Sequence, residues 1–260
     1  MTTGLSASSP DPAALGVWER RLVGQVDGRF SEAEIRDLAE PVQRHLAMAI
    51  APGTAIATAV TLTMRGRIKL GRWLPFRAKQ VLNPYEGFIW AARVAGLIVG
   101  SDRYLDGIGE MHWKLAGLLP VANEVGPDVS KSAAGRAGAE AVWIPTALLP
   151  RSGAIWSADD DGRHIYVRHT LDVTPIEVEY AVKPDGRIES LVFDRWGDPA
   201  RSGTFGWHRF GGEITRYRTF DGLSIPSSGR LGWHYGTDQW PAGEFFHYEV
   251  TSLRRLVRRA

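Results

Sequence analysis

Apolar and polar positions alternate along much of the chain, a two-residue period typical of β-strands with one buried face. Over residues 176–182, four apolar side chains share one face, while Glu177 and Glu179 share the other. The same alternation predicts strands over residues 60–64, 73–82, 87–94, 104–115, 191–193, 231–235 and 246–250.

Short turn signals separate these predicted strands. Asp-Gly pairs at 161–162, 185–186 and 221–222, and a Gly-Gly pair at 211–212, lie between alternating segments. Such pairs favour two-residue hairpin loops, because both positions tolerate a positive φ. Successive strands should therefore pair antiparallel.

Two segments replace the alternation with a helical period. Ser31 and Glu34 form a capping-box pattern, and apolar residues three or four apart follow from 35 to 50, with a break expected at Pro41. Residues 129–149 are rich in alanine, which has the highest helix propensity.

These elements predict an α+β fold. Because a long antiparallel sheet must cover one face, we expect a curved, mostly antiparallel β-sheet, a half-barrel or open barrel, covered by a few helices. Residues 1–14 carry little to bury and predict a disordered arm, and residues 15–260 predict a single domain. The 260 residues, 44% hydrophobic and 23% charged, suffice for such a core.

Several kinds of chemistry are excluded by composition and motif. The sequence has no cysteine, which removes disulfides and thiolate metal sites. G-x-S-x-G, the P-loop and H-E-x-x-H are absent, and His112 stands where a dinucleotide fingerprint beginning at Gly107 needs its third glycine. His164 and His169, five apart on a predicted strand, should face opposite ways. We therefore expect no cofactor and no metal.

Charge and targeting features restrict the partners. The formal net charge is only +2, which argues against nucleic acid as a partner. A C-terminal arginine run, 254–259, could touch an anionic membrane surface, although a solvated chain end explains it better. No signal peptide or membrane-spanning segment is evident, so a cytoplasmic location is expected.

The first candidate site is a helical pair, Arg136 and Glu140, close to Trp143. In an apolar setting, Glu140 could act as a general acid or base with Arg136 orienting it. The alternative is an ordinary i,i+4 ion pair beside a core tryptophan.

The second candidate is the predicted strand 104–115. Its alternation places Asp106, Glu110, His112 and Lys114 on one face, with Trp113 on the other. A carboxylate next but one to His112 could form an acid–base pair, or this face could simply be solvated.

The third candidate is a set of aromatic residues near the C-terminus. It comprises Trp207, Trp233, Tyr235, Trp240, Phe245, Phe246 and Tyr248. Aromatic side chains on a concave sheet suit an apolar or planar ligand, but they could equally fill a barrel core.

The segment Glu140-Ala141-Val142-Trp143-Ile144-Pro145-Thr146-Ala147-Leu148-Leu149 resembles an uncharacterised bacterial family that is frequent in actinobacteria, with its E-x-x-W-x-P-x-A-L-L stretch. Residues 41–46 and 222–246 resemble it as well. The resemblance implies a half-barrel like that of bacterial lipoprotein carriers. It implies no activity and no catalytic residues.

Two functions follow as hypotheses. The first is binding of a lipophilic or aromatic small molecule between sheet and helix, with Trp113, Trp143, Trp207, Trp233, Tyr235 and Phe246 as ligand contacts. The second is a cofactor-independent enzyme in the same pocket, using Glu140, Arg136 and His112 for proton transfer on an apolar substrate.

Overall fold

The computed structural model describes residues 12–24 and 26–257. Within them, fifteen strands form one two-stranded and one thirteen-stranded sheet. The strands are β1 (Val26–Arg29), β2 (Ala55–Ala57), β3 (Val60–Leu70), β4 (Arg72–Asn83), β5 (Gly87–Val94), β6 (Ile98–Leu105), β7 (Ile108–Leu115), β8 (Leu119–Val125), β9 (Ile155–Ala158), β10 (His164–Leu171), β11 (Thr174–Val182), β12 (Ile188–Gly197), β13 (Gly206–Phe220), β14 (Leu223–Trp233) and β15 (Glu244–Arg255).

Four α-helices and four short 3-10 segments accompany the sheets in the described part of the chain. The helices are α1 (Pro12–Arg21), α2 (Glu40–Ala49), α3 (Pro127–Ala139) and α4 (Trp240–Gly243), and the 3-10 segments are Glu32–Ile35, Glu140–Trp143, Pro145–Leu148 and Pro150–Ser152. None of the described helices has the length and apolarity needed to span a bilayer.

The large sheet has the order β8-β7-β6-β5-β4-β3-β15-β14-β13-β12-β11-β10-β9, and every neighbouring pair is antiparallel. All neighbours except β3 and β15 are consecutive along the chain. The chain therefore builds one half outward from β3, crosses over through α3, and builds the other half inward to β15.

The sheet curves around α3. This helix packs on β6 and β7 in one half and on β10, β11 and β12 in the other. These strands lie far apart in the sheet order, so the sheet must bend for one helix to reach both. The prediction of a curved, mostly antiparallel sheet covered by a few helices is thus confirmed.

The two faces of the sheet differ in what covers them. The concave face carries the main core, which it buries against α2, α3 and the 3-10 segments between 140 and 148. The convex face carries a smaller core in which Trp18 of α1 and Leu22, which follows this helix, pack on Val81, Ile89 and Leu256.

Local signals near the N-terminus were partly correct. The Ser31–Glu34 capping box is present, but it begins a 3-10 turn rather than a long helix. Pro41 lies in the first turn of α2, where its missing N–H is harmless, so the predicted helix divides there. Residues 1–11 lie outside the described part, and the predicted arm and single domain remain predictions.

Three element predictions are wrong in detail. Residues 104–115 form two strands, because Asp106 and Gly107 adopt positive φ values of 51° and 81° and make a hairpin turn. The α-helix after residue 129 ends at Ala139 and continues as 3-10 turns. Gly211 and Gly212 lie inside β13, where a side chain on Gly212 would collide with the Arg230 carbonyl.

The C-terminal arginines are used within the fold. Arg254 pairs with Glu19 at 2.8 Å, and Arg255 donates to the Ala55 carbonyl at 2.7 Å and pairs with Asp221. Arg258 and Arg259 lie outside the described residues. The two described members are therefore engaged in intramolecular contacts.

Burial of His45 makes the fold sensitive to acid. Its side chain is 4% exposed and hydrogen-bonds the Gly186 carbonyl at 2.9 Å through Nδ1, and burial lowers its pKa to about 4 from 6.5. Between pH 6.5 and 4, His45 is protonated in the unfolded chain but neutral in the folded chain. The free energy of unfolding is therefore unaffected by this residue above pH 6.5 and falls as the pH drops towards 4. We expect His45 to account for about 3 kcal/mol of that loss.

Urea denaturation of the wild type and His45→Gln across this pH range measures the effect. The variant should lose less stability on acidification than the wild type. Parallel curves for wild type and His45→Gln would contradict the assignment.

Candidate functional site

A cluster of ion pairs lies between α3 and the concave face. Arg136 of α3 donates from Nε to Glu140 Oε1 at 2.7 Å and from Nη1 to Asp102 Oδ2 of β6 at 2.9 Å. All three side chains are less than one-fifth exposed. The predicted i,i+4 pair therefore exists, but it belongs to a largely buried network rather than to an exposed helix surface.

Two further side chains of the sheet complete this network. Gln80 donates to Glu140 Oε2 at 2.5 Å, and Trp113 Nε1 donates to Asp102 Oδ1 at 2.8 Å. Each carboxylate oxygen thus has a donor. Burial alone would lower the pKa of Arg136, but the Glu140 and Asp102 carboxylates outweigh it and raise that pKa.

A second arginine, Arg195 of β12, lies near this network without a partner. It forms no hydrogen bond or ion pair with any described residue, and its Nε is shut off from solvent. The guanidinium lies over the rings of Phe210 and Trp233, 4.8 and 5.2 Å from their centroids. Burial and the like charge of Arg136 lower its pKa to about 10, so it remains protonated at neutral pH.

Aromatic rings form a continuous row across the concave face from β7 to β14. Its members, here called the aromatic row, are Trp113, Trp90, Phe76, Phe246, Phe245, Phe210 and Trp233, with successive ring centroids 5.0–6.4 Å apart. These spacings are those of edge-to-face and offset-stacked contacts. The rings therefore fill much of the space between the sheet and α3 in which a ligand was expected.

One end of the concave face is less covered than the other. The turns of the β3–β4, β5–β6 and β7–β8 hairpins lie at the same end of the sheet, which we call the open end. Backbone hydrogen bonds connect this region: the Ala95 N–H donates to the Pro75 carbonyl, and the Ala116 N–H donates to the Leu97 carbonyl. Near it, the apolar side chains of the concave face stay partly exposed: Ile68, Leu74, Ile98, Trp113, Leu231, Trp233, Phe245 and Phe246. At the opposite end α2 and the 3-10 segments cover the sheet, and their residues Leu46, Ile144 and Leu148 are buried.

The family model of a family of unknown function (DUF6544) matches residues 28–245. The chain belongs to this family. The match includes the Glu140–Leu149 segment, the ion-pair network and nearly all of the aromatic row. No curated protein matches the sequence.

Solved structures similar to this DUF6544 protein are distant in sequence. A LolA superfamily protein from Nitrosomonas europaea is 10% identical, with a TM-score of 0.43 over 85% of this chain and 93% of that one. A candidate outer membrane lipoprotein-sorting protein domain from Vibrio parahaemolyticus is 11% identical, with a TM-score of 0.42 over 83% and 89%. A DUF1329 family protein from Desulfovibrio piger is 11% identical, with a TM-score of 0.36 over 85% and 92%.

The predicted ligand residues of this DUF6544 protein do not share one surface. Trp113, Trp233 and Phe246 belong to the aromatic row. Trp143 is 3% exposed, and its Nε1 donates to the Pro226 carbonyl at 3.1 Å, so it belongs to the core. Trp207 is 54% exposed and packs on Trp196 and under Lys131 of α3, outside the aromatic row.

Tyr235 also lies outside the concave site. It packs against Trp240, with ring centroids 4.9 Å apart, and hydrogen-bonds Ser190. Ser190 pairs in register with Glu213, which faces away from α3. Tyr235 therefore belongs to the convex side.

His112 is separated from Glu140 by the sheet. It pairs in register with Ser101, while the neighbouring pair Asp102–Met111 faces α3, so the His112 imidazole projects from the convex face. There it contacts Glu110 at 3.1 Å, and Glu110 also pairs with Arg103. Burial of Glu110 raises its pKa, but Arg103 and His112 outweigh this and lower it. The proposed acid–base grouping of His112 with Glu140 is not formed.

Three residues of the site were not predicted from the sequence: Gln80, Asp102 and Arg195. Each interrupts an otherwise apolar strand face, as Arg195 does after Leu191 and Phe193. A charged or amide side chain at an inward position of an alternating strand is the signal that could have found them.

Two other features lie apart from the aromatic row. Asp159, Asp161 and His164 come together at the β9–β10 turn, where Asp159 accepts hydrogen bonds from the His164 backbone and ring. Two grooves of about 490 and 810 Å³ are lined largely by residues that face away from α3, among them Arg65 and Arg77. Neither groove reaches Arg195, Trp113 or Trp233.

Proposed function

We propose that the protein binds a lipophilic or aromatic small molecule at the open end of the concave face. The observation that carries this proposal is the partial exposure of Trp113, Trp233 and Phe246 beside a closed core. Apolar rings that keep part of their surface exposed gain free energy when an apolar ligand covers them.

Space against α3 supports the same proposal. Gly135 is buried, yet a Cβ placed on it would meet no atom within 4 Å. Gly138, one turn further, is in tight contact with Ile176. The helix is thus seated firmly on β11 while room remains at Gly135, next to Arg136.

The geometry favours binding over acid–base chemistry. Both oxygens of Glu140 accept hydrogen bonds, from Arg136 and Gln80, and His112 lies on the other face. A general base needs to reach a substrate proton directly or through one water molecule. Glu140 is better suited to holding α3 on the sheet.

Titration with Nile red, a neutral lipophilic dye whose emission rises in apolar surroundings, tests the proposal. Trp233→Ala removes one wall of the open end, and we expect it to weaken dye binding about tenfold, or about 1.4 kcal/mol. Trp207→Ala is the matched control, because it removes an exposed tryptophan of the adjacent strand that lies outside the aromatic row.

The pattern across these proteins decides the outcome. Saturable binding to wild type and Trp207→Ala, with weaker binding to Trp233→Ala, supports the proposal. Equal affinity for all three proteins would place the dye elsewhere, and absence of saturable binding to the wild type would overturn the proposal.

A further inference from the structure

We infer that Arg195 is the counter-ion for an acidic group on the ligand, a carboxylate or a phosphate at one end of an apolar molecule. This rests on the proposed function and specifies its ligand class as an anionic amphiphile. The argument starts from the missing partner of Arg195.

A partly buried cation without a protein partner is unusual in a folded protein. Desolvation of an unpaired charge is costly, so buried arginines are normally paired or fully hydrogen-bonded. Arg136 follows this rule with two carboxylates. Arg195 departs from it, since no described residue accepts a hydrogen bond from it and its Nε has no access to solvent.

The nearby carboxylates are already committed to other donors. Asp102 accepts from Arg136 and Trp113, and Glu140 accepts from Arg136 and Gln80. Their charges act on Arg195 at longer range and partly offset the repulsion from Arg136. They offset part of the cost of a second positive charge beside Arg136 but leave its N–H donors without an acceptor among the described residues.

The surroundings of Arg195 orient it towards the aromatic row. Its guanidinium contacts the rings of Phe210 and Trp233, and Trp233 lies so close over Gly197 that a side chain there would collide with the indole. The cation is therefore fixed beside the apolar surface proposed for the ligand. An anionic head on Arg195 would leave an apolar tail against the rings.

The chemistry of the guanidinium fits such a head group. Its planar set of donors matches a carboxylate or phosphate with two parallel hydrogen bonds, and these are stronger than neutral ones. The rings of Phe210 and Trp233 cover the flat face of the Arg195 guanidinium but leave the N–H groups along its edge free to donate. A neutral head group would gain less from the same donors.

Isothermal titration of dodecanoate, dodecyl phosphate, 1-dodecanol and inorganic phosphate tests the inference. Below the micelle concentrations of the two amphiphilic anions and the solubility limit of the alcohol, we expect the anions to bind at least tenfold more tightly than the alcohol, and inorganic phosphate alone to bind far more weakly. In Arg195→Met, which keeps the length of the side chain without its charge, the anion-to-alcohol ratio should fall to about one. Arg195→Lys should retain part of it.

Arg187→Met is the matched control. Arg187 also lies over an aromatic ring, that of Tyr217, but it is exposed and paired with Asp185, so its variant should keep the anion preference. A cooperative urea transition verifies that each variant is folded.

The outcomes separate the two proposals. Equal binding of dodecanoate and dodecanol to the wild type, or an unchanged ratio in Arg195→Met, would overturn the role of Arg195 and leave lipophilic binding standing. If dodecanoate, dodecyl phosphate and 1-dodecanol all fail to bind, and Nile red shows no saturable binding, both proposals are overturned. Inorganic phosphate binding as tightly as dodecyl phosphate would replace the amphiphile by a plain anion.

Discussion

Replacing Arg136 with methionine should lower the free energy of unfolding by about 3–5 kcal/mol. The substitution keeps the apolar contacts but leaves Asp102 and Glu140 as buried carboxylates without a counter-ion in contact, which is the costly way to break such a network. Urea denaturation followed by tryptophan fluorescence measures the loss.

The exposed pair Glu40–Arg44 is a matched control for this prediction. It is also an i,i+4 pair at 2.7 Å, but the Glu40 side chain is 71% exposed, so Arg44→Met should cost less than about 0.5 kcal/mol. Adding Asp102→Asn and Glu140→Gln to Arg136→Met should recover much of the lost stability. An Arg136→Met loss as small as that of Arg44→Met would show that the network carries little energy.

Truncating Trp143 to alanine in the otherwise wild-type protein should lower the free energy of unfolding by about 3–5 kcal/mol, by a different mechanism. The indole is buried, donates to the Pro226 carbonyl, and packs edge-on against Tyr248 with ring centroids 5.5 Å apart. Its removal leaves a cavity and an unsatisfied carbonyl in the core. The measurement is again the urea midpoint, with the slope of the transition as a check on two-state behaviour.

Trp207→Ala separates this effect from a general loss of tryptophan. Because Trp207 is exposed and touches mainly Trp196 and Lys131, we expect a change below about 1 kcal/mol. A Trp143→Ala protein as stable as the wild type, but defective in dye binding, would reverse our assignment of Trp143 to the core.

The hairpin architecture could be predicted because its determinants are local. The Asp-Gly turns at 161–162, 185–186 and 221–222 fix antiparallel neighbours, and alternation fixes one buried face. The same kind of turn at 106–107 went unrecognised. Its two-residue loop pairs Leu105 with Ile108 and so reverses the parity of the inward positions, so that Tyr104 rather than Leu105 shares the inward face with Trp113.

The site could be predicted only where its residues are neighbours in sequence. The Arg136–Glu140 pair follows from helical spacing, and Trp113, Trp233 and Phe246 follow from aromatic alternation. Asp102 and Gln80, by contrast, reach Arg136 and Glu140 from strands 34 and 60 residues away. No local pattern encodes that distance, because it depends on how far the sheet bends around α3.

The seam between β3 and β15 sets a constraint on how the polypeptide matures. Within each half of the sheet, every strand pairs with the strand synthesised just before it. The seam instead pairs Val60 with Arg255, so it forms only after residue 255 has been synthesised. Until then, β3 exposes unpaired backbone N–H and C=O groups along one edge, together with the apolar side chains of its inner face. A chain that ends before β15 would thus leave the two halves of the large sheet unjoined, with an open backbone edge on β3 and on β14.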